Sequence, residues 1–148
     1  MLRIPLTTLN TVTVASATAD STSTIVIPTN DWDGLLFKLL VTDISGGTSP
    51  TLDVYVQTTL DGGSNWLDVC HFTQITATTS NPVFIQVPQD RNAVIGAVGD
   101  ATIGSGALGV PVLSKSMRIK YVLGGSPSSV SFTVAVIAPQ ESGVGYRG

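Results

Sequence analysis

Apolar and polar residues alternate along most of this chain, and that period of two limits its possible folds more than any other feature. Leu35, Phe37, Leu39 and Val41 share one parity; Leu52, Val54 and Val56 share another, with Asp53, Tyr55 and Gln57 opposite. Val83, Ile85 and Val87 repeat the pattern, and Met117, Ile119, Tyr121 and Leu123 face away from Arg118 and Lys120. Val130, Phe132, Val134 and Val136 alternate with Ser131, Thr133 and Ala135. Successive side chains on a strand point to opposite faces, so each run offers one apolar face to a core and one mixed face outward. No stretch sustains a 3.6-residue apolar period with caps at both ends. Turn-forming clusters at Pro28–Asp31, Ser45–Pro50, Asp61–Asn65, Ser80–Pro82 and Gly124–Pro127 separate the runs. They leave eight strands, at 10–16, 23–28, 34–45, 51–59, 66–76, 82–88, 115–123 and 129–138. The expected fold is all-β: an antiparallel two-sheet β-sandwich, jelly-roll-like, with an immunoglobulin-like sandwich as the alternative, in a single domain spanning 1–148.

A chain of 148 residues can bury a sizeable core without disulfides or metals. Its hydrophobic fraction is 43%, yet only 11% of residues are charged, against about 25% in a typical domain. Thr, Ser and Gly fill the difference. Neutral hydroxyls cost less to bury than charges, which suits a subunit whose outside faces other subunits. The net charge is −3, and Lys115, Arg118 and Lys120 form the one basic cluster. Read as a solvated strand face, it lacks the extent of a counterion-displacing stripe, so no direct nucleic-acid partner is expected. The single cysteine, Cys70, excludes an internal disulfide and reads as a small core residue. The first residues lack the apolar stretch of a secretory signal, and no run approaches the roughly 18 apolar residues of a membrane span. The expectation is a protein made in a reducing cytoplasm, with no membrane partner.

Two segments break the rhythm. Residues 89–114 form a long Gly-rich loop, and loops of this length are usually functional or disordered. It carries Val94, Ile95, Val98, Ile103, Leu108 and Val110, too many apolar groups to lie comfortably in water. It is therefore expected to pack on a neighbouring subunit, and removal of 96–109 to leave a folded domain that no longer assembles. The tail at 139–148 reads as an extended arm, with Tyr146 as its anchor.

Motifs for chemistry are weak. Gly104–Gly109 matches the letters G-x-G-x-x-G, but Val110-Pro111-Val112 follows where a nucleotide site needs a helix. Cys70 and His71 are neighbours on a strand, so their side chains diverge. One histidine cannot build a triad or, alone, a metal site. Asn30, Asp31 and Asp33 could offer oxygens to Ca²⁺, but they match no complete calcium loop and read better as turn residues. Glu141 lies in the tail and the aspartates mostly in turns, so no catalytic carboxylate pair is expected. The reading is a non-enzyme without cofactor, metal or small-molecule substrate.

The most specific local signal is Thr59-Leu-Asp61-Gly-Gly63-Ser-Asn65-Trp66. It resembles the Asp-box hairpin of sialidase propellers, with Asn65 where Thr or Ser is usual. Asp61 can bind backbone N–H groups of its own turn, Gly63 admits positive φ, and Trp66 packs back across the hairpin. The motif occurs once, which excludes a propeller. Reading outward, Leu52 to Val69 followed by His71-Phe72 resembles a segment of small bacteriophage virion proteins, in which a strand L-x-V-x-V-Q-x-S runs into D-G-G-x-x-W-x-D-V and an aromatic. That resemblance implies a β-sandwich on the capsid exterior, often a homotrimer, cementing neighbouring copies of the major capsid protein. It carries over no functional residues beyond the hairpin. A tail or head-fibre component, and a carbohydrate-binding or host-attachment module, are the alternative functions.

Overall fold

The computed structural model describes residues 6–26, 34–79, 81–88, 99–109, 114 and 116–139. Among these there is no helix, and eight strands run in the order β1 (Leu6–Ala17), β2 (Ser21–Val26), β3 (Gly34–Ser45), β4 (Thr51–Thr58), β5 (Leu67–His71), β6 (Val83–Pro88), β7 (Ser116–Gly124) and β8 (Ser129–Pro139). Alternation and turn residues place all eight, and β3 matches its expected span. The fifth strand, expected over 66–76, stops at His71. A bulge at Val69, opposite Val56 and Gln57, lies within it, and beyond His71 the chain stays beside β4 through a Phe72 N–H bond to Val54 O and an isolated bridge between Leu52 and Ile75.

The strands form two four-stranded antiparallel sheets, ordered β1-β8-β3-β6 (sheet A) and β2-β7-β4-β5 (sheet B). Only the β4–β5 hairpin stays within one sheet; every other connection crosses to the opposite one. This is a jelly-roll sandwich, and the immunoglobulin-like alternative, with its four-plus-three strand partition, does not fit.

The core lies between the sheets. Leu35, Phe37, Leu39 and Val41 of β3 and Val130, Phe132, Val134 and Val136 of β8 meet Leu52, Val54 and Val56 of β4 and Met117 and Ile119 of β7, each at most 1% exposed. Tyr121 meets Phe132 edge to face, with centroids 5.3 Å apart. Burying each such side chain contributes about 1.5–3 kcal/mol. Cys70 belongs to this core at 0% exposure, and burial pushes its thiol pKa up to about 12.

The two ends of the sandwich differ. At one, Ser45 lies opposite Ser129 and Thr51 opposite Gly124, and backbone bonds from Thr48 N–H to Gly125 O and Ser128 N–H to Ser45 O, both 2.9 Å, join the turns. At the other, Leu6 lies opposite Pro139, Gly34 opposite Pro88 and Val26 opposite Ser116. The chain continues from this second end into 27–33, 89–98 and 140–148. Val94, Ile95, Val98, Val110 and Tyr146, with the Asn30–Asp33 turn and Lys115, lie outside the described residues.

Candidate functional site

The outward residues of β4 are more buried than a solvated face would be: Tyr55 is 8% and Gln57 0% exposed. The cause is residues 99–109, which lie across the outer side of sheet B as a strap. Its far stretch acts as a short extra strand on the edge of β5. His71 N–H donates to Ala107 O at 3.0 Å, Gly109 N–H to Val69 O at 2.8 Å, and Leu108 bridges Cys70. The β5 edge is thereby closed to pairing with another chain. The last glycine of the G-x-G-x-x-G letters has a steric purpose: a Cβ on Gly109 would collide with the carbonyl oxygen of Asp68.

Asp68 is the anchor. Its side chain is fully buried on β5, and its Oδ1 accepts from Ala101 N–H and Gln57 Nε2, both at 2.8 Å. Its Oδ2 accepts from Thr102 N–H at 2.7 Å and Ile103 N–H at 3.2 Å. Three consecutive backbone donors thus converge on one carboxylate. Ala101 takes φ of 56° to aim them, a conformation costing an L-residue about 1–2 kcal/mol. Charge-assisted bonds, about 1.5–3 kcal/mol each, offset it.

A second layer surrounds this anchor. Gln57 Nε2 also donates to Asp100 Oδ1 at 2.7 Å, so its two amide hydrogens serve two carboxylates, while Gln57 Oε1 accepts from Arg118 Nε at 2.8 Å. Asp100 also pairs with Lys120 Nζ at 2.9 Å and Arg118 Nη2 at 3.1 Å. Desolvation works against the Asp100 anion, but the bonds from Gln57 and Lys120 and the charges of Lys120 and Arg118 outweigh it and hold its pKa below the ordinary value. The cluster read as a solvated strand face is therefore, in Arg118 and Lys120, a clamp on the strap. The Arg118 guanidinium also lies 4.2 Å from the centroid of the Trp66 ring.

His71 closes the network. It points away from Cys70, as strand geometry requires, and stacks on Tyr55 with centroids 3.9 Å apart. Its Nδ1 lies 2.9 Å from Ile103 O and its Nε2 2.9 Å from Asp53 Oδ1, while Asp53 Oδ2 accepts from Gln74 Nε2 at 2.8 Å. Both ring nitrogens thus face oxygens. Desolvation, then the charges of Asp53 and Asp68, raise the Tyr55 pKa. Among the described residues no buried side-chain polar atom lacks a partner. Such a network fixes geometry; its carboxylates are all engaged by donors of the chain itself.

Of the residues expected at an interface, Ile103 is half-buried in the strap and Leu108 is 55% exposed on its outer side. Deleting 96–109, expected to leave a folded domain, would remove the strap donors Ala101, Thr102 and Ile103 from Asp68 and uncover the β5 edge, a stability cost the sequence did not reveal. Asp53 and Asp68 lie on β4 and β5, within the expected strands 51–59 and 66–76, but their engagement by His71 and by the strap was not expected. A signal was present, since Asp53, Tyr55 and Gln57 share a sheet face with Arg118 and Lys120, an unlike-charge pattern that bare solvent does not call for.

The hairpin has the expected local order. Asp61 Oδ1 accepts from Thr59 Oγ1 and Asn65 N–H, both at 2.9 Å, and Oδ2 from Asn65 Nδ2 at 2.7 Å. Gly63, at φ of 99°, donates its N–H to Thr59 Oγ1 at 2.9 Å. The bonds from Asn65, then from Thr59, lower the Asp61 pKa to about 2. Beside the hairpin, a groove of about 320 Å³ opens on the outer side of sheet B between Trp66 and the paired ends of β2 and β7.

The outer side of sheet A is built otherwise. Leu36, Lys38 and Leu40 of β3 sit beside Phe84 of β6 and Ala135 and Ile137 of β8, with Thr11 and Thr13 of β1 beyond. Lys38 is the one charge among these outward residues, and Phe84 is 50% exposed. No described strap crosses this face.

The fold and site thus define an all-β jelly-roll domain whose one buried polar network holds a strap against its own sheet. No protein-family model, no curated protein and no solved structure matches the chain.

Proposed function

We propose that the chain is a structural part of a bacteriophage virion, a decorating or cementing protein that sits on the capsid exterior and binds across neighbouring copies of the major capsid protein. The observation that carries this reading is the outer face of sheet A: sparsely charged, with Leu36, Leu40, Ile137 and a half-exposed Phe84 around Lys38, and Asp43 beside Ser131 toward one end. Such a face loses little on desolvation and has much apolar area to bury. Four strands by about eight residues cover roughly 500 Å². A standard interface takes about 800 Å² per partner. The rest would come from the segments leaving the Leu6–Pro139 end, which carry the apolar residues picked out in the sequence. The resemblance of Leu52–Phe72 to virion proteins supports the same reading. Weak contacts repeated over a shell add through multivalency, so no single patch has to be large.

The test is the mass of the purified chain by light scattering across concentrations, and its binding to expanded empty capsids. A homotrimer that binds capsids, with Phe84→Glu reducing it to monomer or lowering capsid occupancy at least tenfold, is the expected result. A wild-type monomer that leaves capsids bare ends the proposal.

A further inference from the structure

We propose that the groove beside Trp66 is a binding site for a neutral saccharide of one or two rings, a role beyond the assembly reading and on the opposite sheet from the face that carries it. Its floor is the paired β2–β7 backbone at Ile25 and Met117, whose side chains turn to the core and are each 1% exposed. One wall is Val26, 61% exposed, and the other the indole of Trp66. Thr24 and Ser116, both exposed and facing outward from β2 and β7, put hydroxyls at the rim. Among the described residues, no charged one lines it. The nearest guanidinium, Arg118, lies on the Trp66 ring with its charge met by Asp100. An ionic ligand would therefore find no uncommitted counter-charge among the described lining residues. A sugar ring fits this chemistry: its C–H face matches an aromatic and aliphatic wall, and its hydroxyl edge matches a hydroxyl rim. At about 320 Å³ the groove is at the small end of ligand sites, which limits the ligand to a mono- or disaccharide.

The wall is also set in advance. Asp61 ties the hairpin to Thr59 and Asn65, and Arg118 lies over the Trp66 ring. A ring already held by its neighbours gives up little further freedom when a ligand stacks on it.

The test is a nitrogen-15 NMR titration of the full chain with glucose, galactose, N-acetylglucosamine and maltose, with inorganic phosphate as the charged control. The expected result is saturable shifts, with at least one sugar, of the Trp66 indole N–H and the Thr24, Val26 and Ser116 amides. Val26→Glu, at an exposed position, should weaken that response at least tenfold, while Phe84→Glu on the other sheet should leave it unchanged whatever it does to assembly. Absence of any sugar response at tens of millimolar overturns the proposal. So does a response that survives Val26→Glu, or one that phosphate reproduces, which would assign it to Arg118 and Lys120.

Discussion

The outer faces of the two sheets are built from the same kind of alternating strand and reach opposite outcomes. On sheet B the outward positions are Asp53, Tyr55, Gln57, Asp68, Arg118 and Lys120, and the chain covers them with its own strap. On sheet A they include Leu36, Leu40, Phe84, Ala135, Ile137 and threonines around Lys38, with Gln86, Ser131 and Asp43, and no described strap covers them. The polar face is the closed one. A buried carboxylate is tolerable only when every lone pair is met, and a strap offering three consecutive N–H groups does that once, in one register. The neutral face needs no such internal cover. Polarity here marks where the chain binds itself, and its lack marks the face offered outward.

Several substitutions separate the two faces, the largest effect first. Asp68→Ala should cost about 3–5 kcal/mol in urea unfolding, because it strands the Ala101, Thr102 and Ile103 N–H groups and the Gln57 amide together. Hydrogen exchange at those three amides should rise with it; unchanged protection would mean the strap is held by other contacts. Gly109→Ala should cost about 1–3 kcal/mol, since a Cβ meets a backbone oxygen that cannot move aside. Phe84→Glu, by contrast, should stay within about 0.5 kcal/mol in stability, and a larger loss would show that the sheet A face is needed for folding. The smallest effect is local and pH-dependent. The Asp61 pKa is depressed from 3.8 to about 2, so its contribution to the hairpin is complete above pH 4 and is lost as pH falls toward 2. The amides of Gly63 and Asn65 should report that loss by NMR, and shifts centred near pH 4 would count against the bonds from Thr59 and Asn65.

The sandwich was legible in the sequence because its core depends on parity, and parity is written in every second residue of β3, β4, β7 and β8. The Asp61 hairpin was legible because its bonds span at most four residues. The strap was not. Its bonds join Asp68 to Ala101, Thr102 and Ile103 and Gln57 to Asp100, partners more than thirty residues apart with no periodic mark. Its apolar content pointed to a partner, and for 99–109 part of that partner is the β5 edge of the same chain. The burial of Gln57 followed from the strap and so was missed with it.

The pairing of Leu6 with Pro139 has a mechanical consequence. Strand β1 begins where β8 ends, side by side in one antiparallel ladder. Tension applied between the two terminal segments runs across that ladder and opens its hydrogen bonds one after another, a peeling geometry with low resistance. Tension entering through the outer face of sheet A and leaving through the end where Ser45 pairs with Ser129 is spread over four strands at once, which must slip together. The domain therefore resists most when held by that face and least when pulled apart at Leu6 and Pro139.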